Sequence, residues 1–238
     1  MVQETIYCIM VTNRPEFIDI AISNFKIQTY SNKKLILVNN SDRRFLNNKT
    51  DKDIFEYVVE KKGFTLGKLR NIALTAFVPI GGLWTTYDDD DWRAKNYLEE
   101  LYKNMKNSGL DIIFLRNRLE CNLNTGFIFR SEFKNGRQFF LARHVKDFAY
   151  DDLDSLEDMT IKAQYEKAEK KIGIFHNDAK LYIRIMHTSN TSVFVDKNKK
   201  SIVRYSDKNE YHEFEANNDE IDYVRSVMKA RYSRFIGS

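Results

Sequence analysis

Residues 82–92 read Gly82-Leu83-Trp84-Thr85-Thr86-Tyr87-Asp88-Asp89-Asp90-Asp91-Trp92. The stretch up to Tyr87 suits a buried strand, and a helical pattern follows from Trp92 to about Asn107. Four carboxylates at a strand end repel one another, and acids so crowded take up protons or recruit a cation. Aspartates are hard oxygen ligands suited to Mg²⁺ or Mn²⁺. In extended backbone alternate residues point the same way, which puts Asp88 and Asp90 on one side as metal ligands. Asp91, just before the predicted helix, is placed as its N-cap. An acidic run alone is more often a solvated loop. The abrupt passage from apolar strand to acids to helix is what marks this one as a site.

Upstream, Thr5 to Val11 is apolar and predicts a buried strand, broken by Thr12-Asn13-Arg14-Pro15. Phe17, Ile18, Ala21, Ile22, Phe25 and Ile27 then recur at helical spacing. Leu35 to Val38 predicts a second strand, ended by Asn39-Asn40-Ser41-Asp42, and Phe55 to Val59 a third. Leu66, Leu69, Ile72, Ala73 and Ala76 mark a second helix. Apolar strands alternating with amphipathic helices imply an α/β fold, with a mixed, mostly parallel central sheet covered by helices.

The second half changes character. Asp111–Leu115, Gly126–Phe129, Leu181–Met186 and Thr191–Val195 read as strands, with 196–200 a turn. Residues 147–154 form an acidic loop, Glu157–Lys171 a charged helix, and Asn218 to about Phe235 a terminal helix. With no repeat and no linker, one domain is the simplest organisation. Its nucleotide-binding half covers about 1–110, a second half about 111–215, and the terminal helix about 218–236.

The 238 residues include 42% hydrophobic and 13% aromatic residues, enough for a real core. A mild net charge of +4 does not suggest a dedicated nucleic-acid binder, which would concentrate its cations on one motif. Cys8 and Cys121 give neither metal spacing nor a disulfide framework, so the chain reads as intracellular. No stretch approaches the roughly 20 apolar residues of a membrane helix. The expectation is a cytoplasmic protein, soluble or peripherally membrane-associated. The terminal helix interleaves Arg225, Lys229, Arg231 and Arg234 with Val224, Met228, Tyr232 and Phe235. Its apolar stripe either packs on the core or rests on an anionic membrane.

In open α/β sheets, ligands bind beyond the carboxyl ends of the strands. Thr12-Asn13-Arg14, Asn39 to Asp42, and Asp88 to Asp91 all fall at such ends. The first two clusters suit a base and ribose, with Asn40 and Asp42 among the candidates. The third, including Asp89, suits a metal-bound diphosphate. No Gly-rich loop follows the first strand, so phosphate charge must be met by a cation at Asp88 and Asp90, helped by Lys68 or Arg70. Asn39 to Asp42 reads equally as a plain turn, and Lys68 equally as a surface cation.

Several segments in order resemble one family. Ile9-Met10-Val11-Thr12-Asn13-Arg14-Pro15-Glu16-Phe17, Gln28-Thr29-Tyr30 and Leu35 to Asp42 are similar to the N-terminal half of family 2 glycosyltransferases with the GT-A fold, a Rossmann-like nucleotide-diphospho-sugar transferase fold. Leu66-Gly67-Lys68-Leu69-Arg70-Asn71-Ile72-Ala73 resembles their basic helix start, and Tyr87 to Trp92 their D-x-D metal motif. Asn124 to Arg130 resembles the strand near their acceptor site, Leu156-Glu157-Asp158-Met159-Thr160 their Glu-Asp motif, and Arg184 to Thr191 a late His/Asn-Thr segment. The chain departs from the family at Asn39-Asn40, where acidic residues are usual, so the base-binding aspartate is absent or replaced by Asp42.

The resemblance implies inverting, metal-dependent transfer of a sugar from a UDP- or GDP-sugar to a hydroxyl of a carbohydrate or glycolipid acceptor. It implies Mn²⁺ or Mg²⁺ on Asp90, with Asp88 binding metal or ribose, and His187 as a third ligand or phosphate contact. It places the general base at Asp158, beside Glu157. A sugar nucleotidyltransferase would need the missing Gly-rich loop. A catalytically silent nucleotide-sugar-binding module would keep the fold without turnover.

Overall fold

A computed structural model of the chain describes residues 3–46, 51–60, 62–134, 140–154, 159–187, 200 and 211–235. The first half runs β1 (Ile6–Thr12), α1 (Pro15–Lys26), β2 (Lys33–Asn39), β3 (Ile54–Val58), α2 (Leu66–Phe77), β4 (Leu83–Thr86), β5 (Trp92–Arg93) and α3 (Tyr97–Ser108). The second runs β6 (Ile112–Leu115), β7 (Asn117–Asn122), β8 (Ile128–Phe133), β9 (Phe140–Arg143), α4 (Met159–Lys167), β10 (Ile172–Phe175), β11 (Tyr182–Met186), β12 (Tyr211–Glu215) and α5 (Asn218–Arg231).

A seven-stranded sheet has the order β10-β6-β9-β4-β1-β2-β3. Only β9 runs against its neighbours. Alternate residues of β1 serve opposite faces. Cys8 and Met10 pack with residues of α1 and α3, while Ile9 packs with α2 and α4. A second, five-stranded sheet has the order β12-β8-β7-β11-β5. Its Leu119, Ile183 and Ile185 are covered by Val224, Val227 and Met228 of α5. The apolar stripe of α5 therefore packs on the core, and Arg225, Lys229 and Arg231 remain exposed. Among the described residues, no helix is long and apolar enough to cross a membrane.

Several elements differ from the sequence reading. Trp92 and Arg93 form not the start of a helix but a short strand antiparallel to Tyr182 and Ile183. Buried polar groups in α1 and just after it cause this. Asn24 donates to the Arg93 carbonyl and accepts from its amide, and Gln28 donates to the Ala94 carbonyl. The helix is delayed to Tyr97, where Gln28 Oε1 accepts from the Leu98 amide, one of the donors a helix start leaves unpaired. Asp91 is thus no N-cap. The helix expected to reach Lys171 ends at Lys167, where Glu169 turns the chain with φ 53° and releases it into β10. Strand β7 escaped notice because it carries Arg118 and Glu120, which are buried against each other. The expected strand 191–195, the turn at 196–199, and Glu157 and Asp158 lie outside the described residues.

Candidate functional site

Strands β1, β2 and β4 are parallel, so Thr12, Asn39 and the run after Thr86 end on one rim. Thr12 pairs with Asn39 in register, and the Tyr87 amide donates to the Ile9 carbonyl. The three polar clusters expected to converge do meet there, although their members have different employments. Asn39 is buried. Its amide donates to Glu56 and to the Arg43 carbonyl, and its Oδ1 accepts from the Ser41 amide, which makes the segment an Asx turn. Asn40 holds the Thr12 carbonyl through its amide and accepts Lys62 at its own carbonyl. Asp42 is exposed, 2.6 Å from Lys62. Asn13 is exposed on the rim.

The acidic run is a bend rather than extended strand, so its side chains do not simply alternate. Asp88 lies on the open side, with 35% of its side chain exposed, and accepts from Arg70 at 3.0 Å. Arg70 is buried in α2 with its guanidinium over the Tyr150 ring. Asp89 and Asp90, consecutive and both buried, share Arg14. Asp89 also accepts from the Thr12 hydroxyl at 2.5 Å. Asp90 Oδ2 lies 2.9 Å from Arg14 and 3.0 Å from His187 Nε2. Asp91 turns inward, accepting from the Tyr182 hydroxyl and, at 2.8 Å, from the Ile185 amide. Lys68 is exposed over Phe64, at the start of α2.

Beneath the run lies Arg93, fully buried, with its guanidinium 3.9 Å from the Tyr87 ring centre and 5.0 Å from that of Tyr182. One of its nitrogens donates to the Asp88 carbonyl at 3.1 Å. This buried cation was missed in the sequence, although a basic residue directly after an acid run and a tryptophan was the available signal. Tyr182 was missed as well, because nothing local tells a strand tyrosine that binds a carboxylate from one that packs.

Burial resists charge on all three inner carboxyls. At Asp90, hydrogen bonding to His187 and the Arg14 charge overcome it and hold the carboxyl down at about 2. Burial pushes Asp89 upward, reinforced by the Asp90 charge and opposed by Arg14. Burial also pushes Asp91 up to about 7, with Asp90 and Asp88 adding to the rise and Arg93 opposing it. Asp90 is therefore an ionised carboxylate beside an imidazole, with Asp88 on the solvent side. A carboxylate and an imidazole so close form a donor set that fits a divalent cation, and carboxylates are the oxygen donors that suit Mg²⁺ and Mn²⁺. Among the described residues, no three His, Cys, Asp or Glu side chains converge as a ready metal cluster.

Acids of the 147–154 loop meet the start of α2. Asp152 accepts from the Thr65 hydroxyl, and Asp154 accepts from the Leu66 amide at 3.1 Å. The Gly67 amide donates to the Leu153 carbonyl at 3.0 Å. The chain thus enters the segment holding Glu157 and Asp158 from the N-terminal end of the helix that carries Arg70.

Residues 7–183 match the family described as Glycosyl transferase family 2. The chain belongs to that family. No curated protein matches it. Among solved structures, S. aureus TarS 1-349 in complex with UDP-GlcNAc superposes with a TM-score of 0.60 at 14% identity, over 79% of this chain and 60% of that one. Mannosyltransferase PcManGT from Pyrobaculum calidifontis, in complex with GDP-Man and Mn²⁺, gives a TM-score of 0.55 at 13% identity, over 78% and 58%. The fold is that of GT-A glycosyltransferases. The chain spans about three fifths of the length of these two structures.

Proposed function

We propose that this member of glycosyl transferase family 2 is a metal-dependent, inverting hexosyltransferase that uses a UDP- or GDP-sugar and a hydroxyl acceptor on a carbohydrate or glycolipid. One observation carries the reading. Asp90, His187, Arg14, Arg70 and Asp88 gather on the rim where an open parallel sheet takes its ligand. Solved relatives of the same fold, bound to UDP-GlcNAc and to GDP-Man with Mn²⁺, support the donor class.

Asp90 and His187 would hold the cation, with Asp88 at its open side. When bound, Mn²⁺ or Mg²⁺ supplies Lewis-acid stabilisation of the leaving diphosphate. Arg70, fixed by its buried stem, and Lys68 add positive charge where the sugar–phosphate bond breaks. Thr12, Asn13, Arg14, Asn40 and Asp42 would meet the nucleoside on the rim, with the buried Asp89 holding Thr12 and Arg14 in place beside the diphosphate. The acceptor oxygen attacks the anomeric carbon as the diphosphate leaves from the opposite face, which inverts the centre. The acceptor's proton must pass to a base, and Asp158, with Glu157 beside it, is the proposed acceptor of that proton. General-base assistance of this kind contributes roughly 10²–10⁴-fold.

The test is a panel of UDP- and GDP-sugars with Mn²⁺ and the purified protein, read by thermal stabilisation and slow hydrolysis. At least one donor should stabilise the protein and be hydrolysed. A panel in which no nucleotide sugar binds overturns the reading.

A further inference from the structure

The C-terminal helix reaches the acidic run as well as covering the second sheet. The Tyr232 hydroxyl, fully buried, donates to the Asp90 carbonyl at 3.1 Å. Phe235, in the short 3₁₀ turn that follows α5, stacks on Phe17 with ring centres 4.7 Å apart and planes 10° apart. Phe17 in turn lies 4.9 Å from the His187 ring and 5.0 Å below the Arg14 guanidinium. His187 and Arg14 both hold the Asp90 carboxylate. Two further contacts fix the far end of the run. The Trp92 indole donates to the Tyr223 hydroxyl at 3.4 Å, and Arg231 lies over the Trp92 ring while it donates to Ser23.

Each contact grips a different part of one small unit. Tyr232 fixes the Asp90 backbone, and the Phe235–Phe17 stack fixes the plane of the imidazole facing the Asp90 side chain. A metal pair needs both partners held to within a fraction of an ångström, and the groups behind the ligands set that precision. Tyr232 and Phe235 also pack in the apolar cluster of Val224, Val227 and Met228, but that packing needs neither a hydroxyl aimed at the Asp90 carbonyl nor a ring laid flat against Phe17.

We propose that Tyr232 and Phe235 are positioning residues for the Asp90–His187 pair, acting through the Asp90 carbonyl and the Phe17 ring. The metal side of this inference rests on the function proposed above, whereas the positioning itself does not. The experiment uses the full chain with Tyr232→Phe and Phe235→Ala. Phe235→Tyr is the conservative rescue, and Val227→Ala is a packing control in the same helix. The first readout is the imidazole NMR signals of His187, one of four histidines, assigned with His187→Gln in the absence of metal. The second is Mn²⁺ affinity by electron paramagnetic resonance.

Tyr232→Phe and Phe235→Ala should shift the His187 signals and weaken Mn²⁺ binding by about tenfold. Phe235→Tyr should restore both readouts, and Val227→Ala should move neither. His187 signals unmoved by the two variants, or moved as far by Val227→Ala, would overturn the proposal. A wild-type protein that binds no Mn²⁺, yet whose His187 signals respond as described, supports the positioning and overturns the metal part of the proposed function.

Discussion

Asp88-Asp89-Asp90-Asp91 and Asp151-Asp152-Leu153-Asp154 are runs of similar composition in one chain. Asp89, Asp90 and Asp91 are 1%, 6% and 5% exposed, whereas Asp151, Asp152 and Asp154 are all exposed. The first run ends a central strand, so its carboxylates must find partners inside the protein. They find a guanidinium, an imidazole, a phenol and a backbone amide. The second run lies on the surface, and two of its acids meet the first residues of a helix, where exposed amides and a positive dipole end welcome them. One run has four acids in four residues and the other three, but it is burial and the partners it enforces that separate a site from a cap.

Four substitutions sharpen or break this contrast. The largest effect is expected at Asp158, which the second run leads into. Asp158→Asn should lower turnover by roughly 10²–10⁴-fold while donor affinity stays constant. Steady-state kinetics alongside calorimetric donor titration checks this. Wild-type turnover in that variant would move the base to Asp151, Asp152 or Asp154 and blur the division between the runs.

Next is Asp90→Asn, expected to cost on the order of 10²–10³-fold in transfer, since under the proposed function it weakens the hold on the cation that offsets charge on the leaving diphosphate. Mn²⁺ affinity should fall in parallel, and a variant that retains both would show that the buried run is structural.

The third effect is on stability and depends on pH. The Asp91 carboxyl ionises near 3.8 when unfolded and only at about 7 in the fold. Between those values the folded state holds the extra proton, so stability falls as pH rises from about 4 to about 7 and is level above. Urea unfolding of wild type and Asp91→Asn across this window should show the wild type losing ground by up to a few kcal/mol. A constant difference would contradict the burial argument. The smallest effect is expected in the second run, where Asp154→Ala should cost about 1 kcal/mol of stability, as loss of a helix N-terminal acceptor does, and leave turnover within twofold.

Much of the first half was legible because its apolar runs are short, periodic and bounded by turn residues. Leu35 to Val38 is wholly buried, and α2 begins at the Leu66 that the pattern marks. The convergence of Thr12 and the aspartates followed from parallel strands alone. What stayed hidden depends on contacts across long stretches of chain. Asn24 in α1 and Gln28 just after it decide that Trp92 and Arg93 are strand, a choice no local propensity carries. Asp91 read as a cap because its partners, Tyr182 and the Ile185 amide, lie more than ninety residues away. Arg14 could be placed on the rim but not on Asp89 and Asp90, since a flexible side chain chooses among several carboxylates. Strand β7 reads as polar because its charges cancel only once folded.

Under the proposed function, the buried run at the end of β4 is a cation site for a nucleotide diphosphate. Calorimetric titration of UDP and GDP into the wild-type protein, once with Mn²⁺ and once with chelator, tests it most directly. Binding should be at least about tenfold tighter with Mn²⁺, a gain of about 1.4 kcal/mol or more. Equal affinity in the two conditions would contradict it.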